Sequence, residues 1–199
     1  MKILLIGANG TIGSAIDREL SPRHEIVRIG RKNGDFQVDI SDSTSIRTLF
    51  EQTGRFDALI CAAGNVNFVA LDEMNEKDFA LGLQDKLMGQ VNLLLIGREF
   101  ANDGASFTFT SGVLNREPIR TGSSAALVNA ALDGFVKAAA IELPRGMRVN
   151  SVSPTVLAEA MGKYAPYFRG FKPVAAADVA LAYAKSVEGL QTGQTYNVG

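Results

Sequence analysis

Short apolar runs alternate with longer amphipathic stretches from one end of the chain to the other. The runs Lys2–Ile6, Glu25–Ile29, Phe36–Val38, Asp57–Cys61, Ser106–Thr110, Arg148–Val152 and Thr195–Val198 are rich in Val, Ile, Leu and Phe, residue types that suit buried strands. Several are apolar at consecutive positions and so on both faces, which suits a parallel sheet covered by helices on each side. Between them, helical spacing predicts Thr11–Leu20, Ser43–Gln52, Glu76–Asn102, Ser123–Leu143 and Ala175–Val187. Ser41 and Asp42 stand where a cap would accept the first N–H groups of the second helix. Asp103–Gly104 and Pro144–Arg145–Gly146 are stop signals for the third and fourth. This rhythm predicts a single α/β domain over residues 1–199, a doubly wound parallel sheet of seven strands with right-handed crossovers. In such sheets ligands sit beyond the carboxyl ends of the strands, so the loops after each strand are where chemistry is expected.

Composition narrows the partners. With 20 Lys+Arg against 21 Asp+Glu in 199 residues, there is no electrostatic reason to expect a nucleic-acid partner. No run approaches the roughly 20 consecutive apolar residues of a membrane span, so no membrane partner is expected either. The opening apolar run stops at Gly7, short of the apolar core of a secretory signal. Cys61 and His24 are the only residues of their kinds, which leaves no disulfide within the chain and no His/Cys cluster for a metal. A cytoplasmic protein without a metal site is the expectation.

The first strand runs into Gly7-Ala8-Asn9-Gly10-Thr11-Ile12-Gly13, which opens a helix. Glycines at this spacing let the backbone approach a pyrophosphate, while the helix's free N–H groups and dipole stabilise its charge. Gly7, Asn9, Gly10, Thr11, Ile12 and Gly13 are therefore candidate dinucleotide-binding residues. The second strand ends in Arg28-Ile29-Gly30-Arg31-Lys32. An acid here would accept the ribose 2′-hydroxyl of NAD, whereas Arg31 offers a bidentate fork to the 2′-phosphate of NADP. NADP is the expected cofactor, with Asp35 placed to serve NAD instead.

These features resemble the short-chain dehydrogenase/reductase family over essentially the whole chain. The resemblance rests on the glycine loop, on Val38-Asp39-Ile40, on Cys61-Ala62-Ala63-Gly64 and on two further blocks. One runs from Ala130 to Leu143, and the other is Arg148-Val149-Asn150-Ser151-Val152-Ser153-Pro154. It implies a Rossmann-like fold, places Asp39 beside the adenine with Ile40 at the same wall, and makes Ala62, Ala63 and Gly64 backbone walls of the cofactor cleft. Pro154 and Val156 become neighbours of the nicotinamide. Cys61 stands where the family carries an asparagine and reads as a buried structural thiol, since no base is near it in sequence.

The resemblance fails at the residues that move protons. Family members use a Ser, a Tyr, a Lys four residues later and usually an Asn; on a helix, positions i and i+4 share a face, so the ammonium lowers the phenol pKa. Here the Tyr and Lys positions fall on Ala125 and Asn129, and none of Tyr164, Tyr167, Tyr183 and Tyr196 is followed four residues on by Lys. The serine corresponds to Ser111, one residue further from Ala125 than the usual spacing. The Asn position holds Lys86, either a cleft lysine acting as acid or electrostatic stabiliser, or a charge on an exposed helix turn paired with Asp85 or nothing.

Residues 155–173 correspond to the family's substrate lid. Their aromatics, with Lys163, Arg169 and Lys172, suit a flat or anionic substrate or simply cover the end of the sheet. Ala-rich positions in Ser123–Leu143 suit close helix packing, and the family pairs subunits through its two long helices, so a homodimer or homotetramer is expected. The expected function is an NADP-dependent oxidoreductase acting on a small carbonyl or alcohol, with Ser111 and Lys86 as its catalytic residues. The alternative is a dinucleotide-binding redox sensor or interaction module without turnover.

Overall fold

The computed structural model describes all residues, 1–199. Seven parallel strands form one sheet in the order β3-β2-β1-β4-β5-β6-β7: β1 (Lys2–Ile6), β2 (Glu25–Gly30), β3 (Phe36–Gln37), β4 (Phe56–Cys61), β5 (Ala101–Thr110), β6 (Arg148–Pro154) and β7 (Thr195–Val198). The helices are α1 (Thr11–Leu20), α2 (Ser43–Thr53), α3 (Glu76–Leu81), α4 (Gly89–Gly97), α5 (Ser123–Glu142), α6 (Met161–Tyr164) and α7 (Ala176–Glu188). The direction of winding reverses between β1 and β4, which opens a crevice at their carboxyl ends.

Alternation within the strands sorts the core onto two faces. Ile3 and Leu5 of β1 join Ile16 of α1 and Val179 and Tyr183 of α7. Leu4 and Ile6 join Phe50 of α2, Leu93 of α4 and Leu132 of α5 on the other side. Both faces of β1 are closed to water, with Ile3, Leu4 and Leu5 at 0% exposure, as expected for a parallel sheet between helical layers.

Most element ends lie within a residue or two of the sequence pattern, but the third helix, its stop signal and one cap differ from it. The expected helix Glu76–Asn102 is broken: α3 passes into seven residues of π-helix, Gly82–Met88, before α4 resumes and ends at Gly97. Asp103–Gly104 does not stop that helix but lies inside β5. Ala101 already pairs with Phe56, and the register shifts before Ala58 pairs with Ser106, with Gly104 taking φ +75° at the irregularity. Of the two expected cap residues, only Asp42 caps α2, accepting from the Thr44 N–H at 2.8 Å. Ser41 turns instead to Asp39, donating to its carboxylate from both N–H and hydroxyl.

The expectation about membrane spans needs one amendment. By length and composition, with a mean hydropathy of 1.3, α5 is apolar enough to cross a bilayer. In the fold it lies on the sheet, with Val128, Leu132 and Val136 buried. Its Asp133 accepts hydrogen bonds from Ser151 Oγ at 2.6 Å and from Asn115 Nδ2. A carboxylate held in a buried polar network marks α5 as a core helix of this domain.

Candidate active site

The glycine loop sits at the sheet's reversal point. Gly7 has φ +84°, and a Cβ there would meet the Ala62 carbonyl oxygen at 2.6 Å; a Cβ on Gly13 would lie 2.0 Å from the Gly7 carbonyl oxygen. Gly13 is buried and serves to seat α1 against the loop rather than to face the crevice. Gly10 is different: its nearest neighbour would be Gly7 O at 3.4 Å, so it presents an open backbone surface. It caps α1 without any side-chain bond, and no acid stands in the first turn. The free N–H groups and the dipole of α1 therefore face an exposed cradle formed with Thr11, which suits a pyrophosphate. Asn9 Nδ2 donates to the Asn33 carbonyl at 3.3 Å and ties the loop to the turn after β2.

Two cavities flank this loop. One, of about 90 Å³, is lined by Gly7, Arg31, Asp39, Ile40 and Gly64 together with Asp85. Arg31 is well exposed and pairs with Asp39 at 2.9 Å. The Asp39 carboxyl is held below its ordinary pKa, first by the Ser41 hydroxyl and N–H and then by Arg31. The anticipated adenine-side residues thus converge, but the Asp39 side chain is already engaged by protein groups.

The other cavity, of about 290 Å³, lies across Gly64 from the first and is mostly apolar. Ile12, Ala62, Ala63, Pro154 and Val156 line it, as do Ser111 and Lys86. Lys86 is not a surface charge paired with Asp85. Its Nζ donates to the Ser111 carbonyl at 3.0 Å, while Asp85 accepts from Asn65 Nδ2 at 2.6 Å on the other side. Both residues lie in the π-helical segment, where Lys86 lines this cavity and Asp85 the smaller one; such turns recur at functional sites. Gly64, at φ +135°, is required beneath it, since a Cβ would stand 2.8 Å from Lys86 Cγ.

Desolvation dominates the state of Lys86: its pKa is pushed down to about 8, against the pull of Asp133 and Cys61. An ammonium near neutrality in pKa can give and regain a proton at physiological pH. The Ser111 hydroxyl is buried and has only a long contact, 3.5 Å, to the Val152 carbonyl. Ala125 and Asn129, onto which the resemblance maps Tyr and Lys, also line this cavity. Asn129 Nδ2 donates to the Gly112 carbonyl at 3.2 Å, and its buried Oδ1 has no partner. Lys86 and Asn129 thus grip consecutive carbonyls, Ser111 and Gly112, from opposite helices.

Cys61 is fully buried, its thiol pushed up to about 12 by desolvation, consistent with a structural role. Phe168, one of the lid aromatics, also lines the large cavity, as do Thr110 and Phe68, which the sequence pattern does not single out. Thr110 continues the alternation of β5, and Phe68 lies in an irregular segment without periodicity. Gly112, whose φ is +147°, also left a sequence signal, as a glycine just past a strand end.

A family model described as enoyl-(acyl carrier protein) reductase matches residues 11–191. The chain belongs to the short-chain dehydrogenase/reductase family of oxidoreductases. The short-chain dehydrogenase/reductase ATR9 of Stachybotrys chlorohalonatus is 30% identical over 129 residues, covering 60% of this chain and 51% of that one. The chain spans about half the length of the curated relatives it matches. The crystal structure of the protein lin1944 from Listeria innocua is 48% identical over 100% of both chains, with a TM-score of 0.99. A small-chain dehydrogenase solved in complex with NADPH is 27% identical, with a TM-score of 0.88 over 100% of this chain and 96% of that one.

Proposed function

We propose that the protein is an NADP(H)-dependent oxidoreductase that reduces a carbonyl, or oxidises the matching alcohol, in the cavity between β4, β5 and β6. The observation that carries this reading is the placement of Lys86 and Ser111 in one apolar cavity of about 290 Å³ beside the glycine loop, at the low end of the usual size for small-molecule sites. When bound, the dinucleotide supplies or accepts the hydride. Gly10, Thr11 and the uncapped start of α1 would hold its pyrophosphate, Arg31 its 2′-phosphate, and Asp39, Ile40, Ala63 and Gly64 the adenosine side. Ile12, Ala62, Pro154 and Val156 would wall the nicotinamide side and exclude water. The NADPH complex of the related dehydrogenase supports this choice of cofactor.

The residues of the chain supply orientation and the proton. Ser111 Oγ donates a hydrogen bond to the substrate oxygen and positions it. Lys86, in its ammonium form, holds the Ser111 carbonyl with one N–H and has two more to direct at that oxygen. On reduction it passes a proton to the developing alkoxide; on oxidation its neutral form takes one away. Ser111 keeps the place of the family's serine, while Lys86, or water, takes over the proton transfer that the family assigns to a Tyr and Lys at the positions of Ala125 and Asn129. Because those two side chains cannot ionise, a second reading, dinucleotide binding without turnover, is kept as the competitor.

Thermal shift with NADPH, NADP+, NADH and NAD+ decides the first step. A cofactor at 100 times its Kd adds about 2.7 kcal/mol of stability, and Arg31→Ala is expected to weaken the response to the phosphorylated forms selectively. No shift with any of the four overturns the reading. NADPH oxidation across a carbonyl panel then separates enzyme from binder: a response to NADPH with no turnover above background leaves the second reading.

A further inference from the structure

Beyond the reacting cavity lies a second chamber, of about 260 Å³, that shares the Phe68 wall with it. Three separate segments build it: Phe68 from the stretch after β4, Ile119 and Thr121 from the turn into α5, and Lys163, Tyr164 and Tyr167 from the lid. The turn is a strained one. Thr121 adopts φ +63°, one of two non-glycine residues in the chain with positive φ, and its hydroxyl donates to the Arg120 carbonyl at 2.6 Å. A threonine held in the left-handed region costs free energy, and such residues cluster where a binding surface needs a fixed shape.

The walls of this chamber are aromatic and open to solvent. Phe68 is 43% exposed and Tyr167 53%, and here the two exposed rings fall side by side around one chamber instead of standing singly. The Phe68 and Tyr164 rings lie 6.5 Å apart between centroids and tilted by 48°, forming an angled slot. Lys163 places its ammonium 5.1 Å from the Tyr164 ring centroid and takes part in no ion pair. The only acid of the lid, Glu159, has its carboxylate engaged by the Ala176 N–H at 2.9 and 3.2 Å. Asp72 faces a neighbouring hollow beside Arg120 and not this chamber.

We propose that this chamber is the distal subsite of the substrate pocket. It takes a flat aromatic group bearing a negative charge, on a molecule long enough to leave its carbonyl beside Ser111 and Lys86. The proposal rests on the reducing function above for the reactive end only. The rings of Phe68, Tyr164 and Tyr167 stack on the flat group, Ile119 packs against its edge, and Lys163 meets the charge. Because Phe68 lines both cavities, a single molecule lying along its ring would reach the reacting group from this chamber.

Binding without chemistry tests the subsite independently of turnover. Isothermal titration calorimetry with biphenyl-4-carboxylate and its neutral isostere biphenyl-4-carboxamide probes the slot and the charge separately, since neither is reduced by NADPH. The acid is expected to bind about threefold more tightly than the amide, and Lys163→Gln to erase that difference. Tyr167→Ala, at an exposed position, is expected to weaken both about fivefold with unchanged Tm. Failure of both compounds to bind at millimolar concentration, or binding that ignores both substitutions, overturns the subsite. Equal affinity for acid and amide overturns its charge. With turnover established, 4′-formylbiphenyl-4-carboxylate should exceed propanal in kcat/KM by about tenfold in the wild type, and less in Tyr167→Ala. Turnover of propanal alone, with no biphenyl binding, removes this inference and leaves the proposed function standing.

Discussion

Gly10 and Gly13 are three residues apart and play different parts. A Cβ on Gly13 would lie 2.0 Å from the Gly7 carbonyl oxygen, whereas one on Gly10 meets nothing closer than 3.4 Å. Gly13→Ala is therefore expected to lower Tm, because α1 can no longer seat on the loop. Gly10→Ala should leave Tm near that of the wild type and weaken the NADPH-induced thermal shift, since its methyl group fills only the phosphate approach. A Gly10→Ala variant with an undiminished NADPH response would place the pyrophosphate elsewhere.

Lys86 carries the pH dependence. In the reductive direction its protonated form is the acid, so the rate should fall as pH rises through about 8. Lys86→Met should lose most of kcat while keeping the NADPH thermal shift; wild-type turnover in that variant would exclude Lys86 from catalysis. The same group leaves a mark on stability. Its folded pKa is lowered from 10.5 to about 8, so across that window the unfolded chain holds a proton that the folded chain has released. Stability gained from this group therefore rises with pH between those values, and urea titrations of Lys86→Met should lack that rise.

At the scale of elements, α7 is locked to β5 through polar pairs inside an apolar layer. Tyr183 is fully buried, and its OH lies 2.6 Å from Thr110 Oγ1, which donates in turn to the Cys61 carbonyl at 2.6 Å. With its own proton committed to Cys61, Thr110 accepts from Tyr183, whose phenol burial holds protonated. Tyr183→Phe is expected to cost about 1 kcal/mol in urea unfolding, with the cavity wall at Thr110 intact. A neutral result would mean that Thr110 is satisfied without it. The broken helix matters at this scale too, since its π-helical segment carries Asp85 to one cavity and Lys86 to the other.

For the molecule as a whole, α5 keeps an apolar outer face. Leu127 is 44% exposed and Ile141 86%, with Ala131, Gly134 and Ala138 between them on the same side. We expect copies of the chain to associate through this face, the small residues allowing close helix approach. Light scattering should give a dimer or tetramer, and the double substitution Leu127→Asp, Ile141→Asp should yield a monomer of unchanged Tm. A wild-type monomer at high concentration would refute the assembly.

Much of this molecule was legible in the order of its residues. Apolar strands alternating with amphipathic helices determine a covered parallel sheet, because each face must be closed to water, and the glycine spacing after β1 marks the crevice. The same local signals placed Ser111 at a strand end and the glycine loop at a helix start. What periodicity does not encode is how distant segments meet. Lys86 reads equally as an exposed charge or a cleft lysine in the sequence, and only packing of its helix against the end of β5 places it in the cavity. The aromatic chamber needs Phe68, Ile119 and Tyr164 from three separate segments, and only the fold shows Asn129 holding the Gly112 carbonyl with its own buried oxygen unpaired. Secondary structure follows from contacts a few residues apart, whereas cavities and pKa shifts arise from desolvation by groups far apart in sequence; only the folded chain decides those.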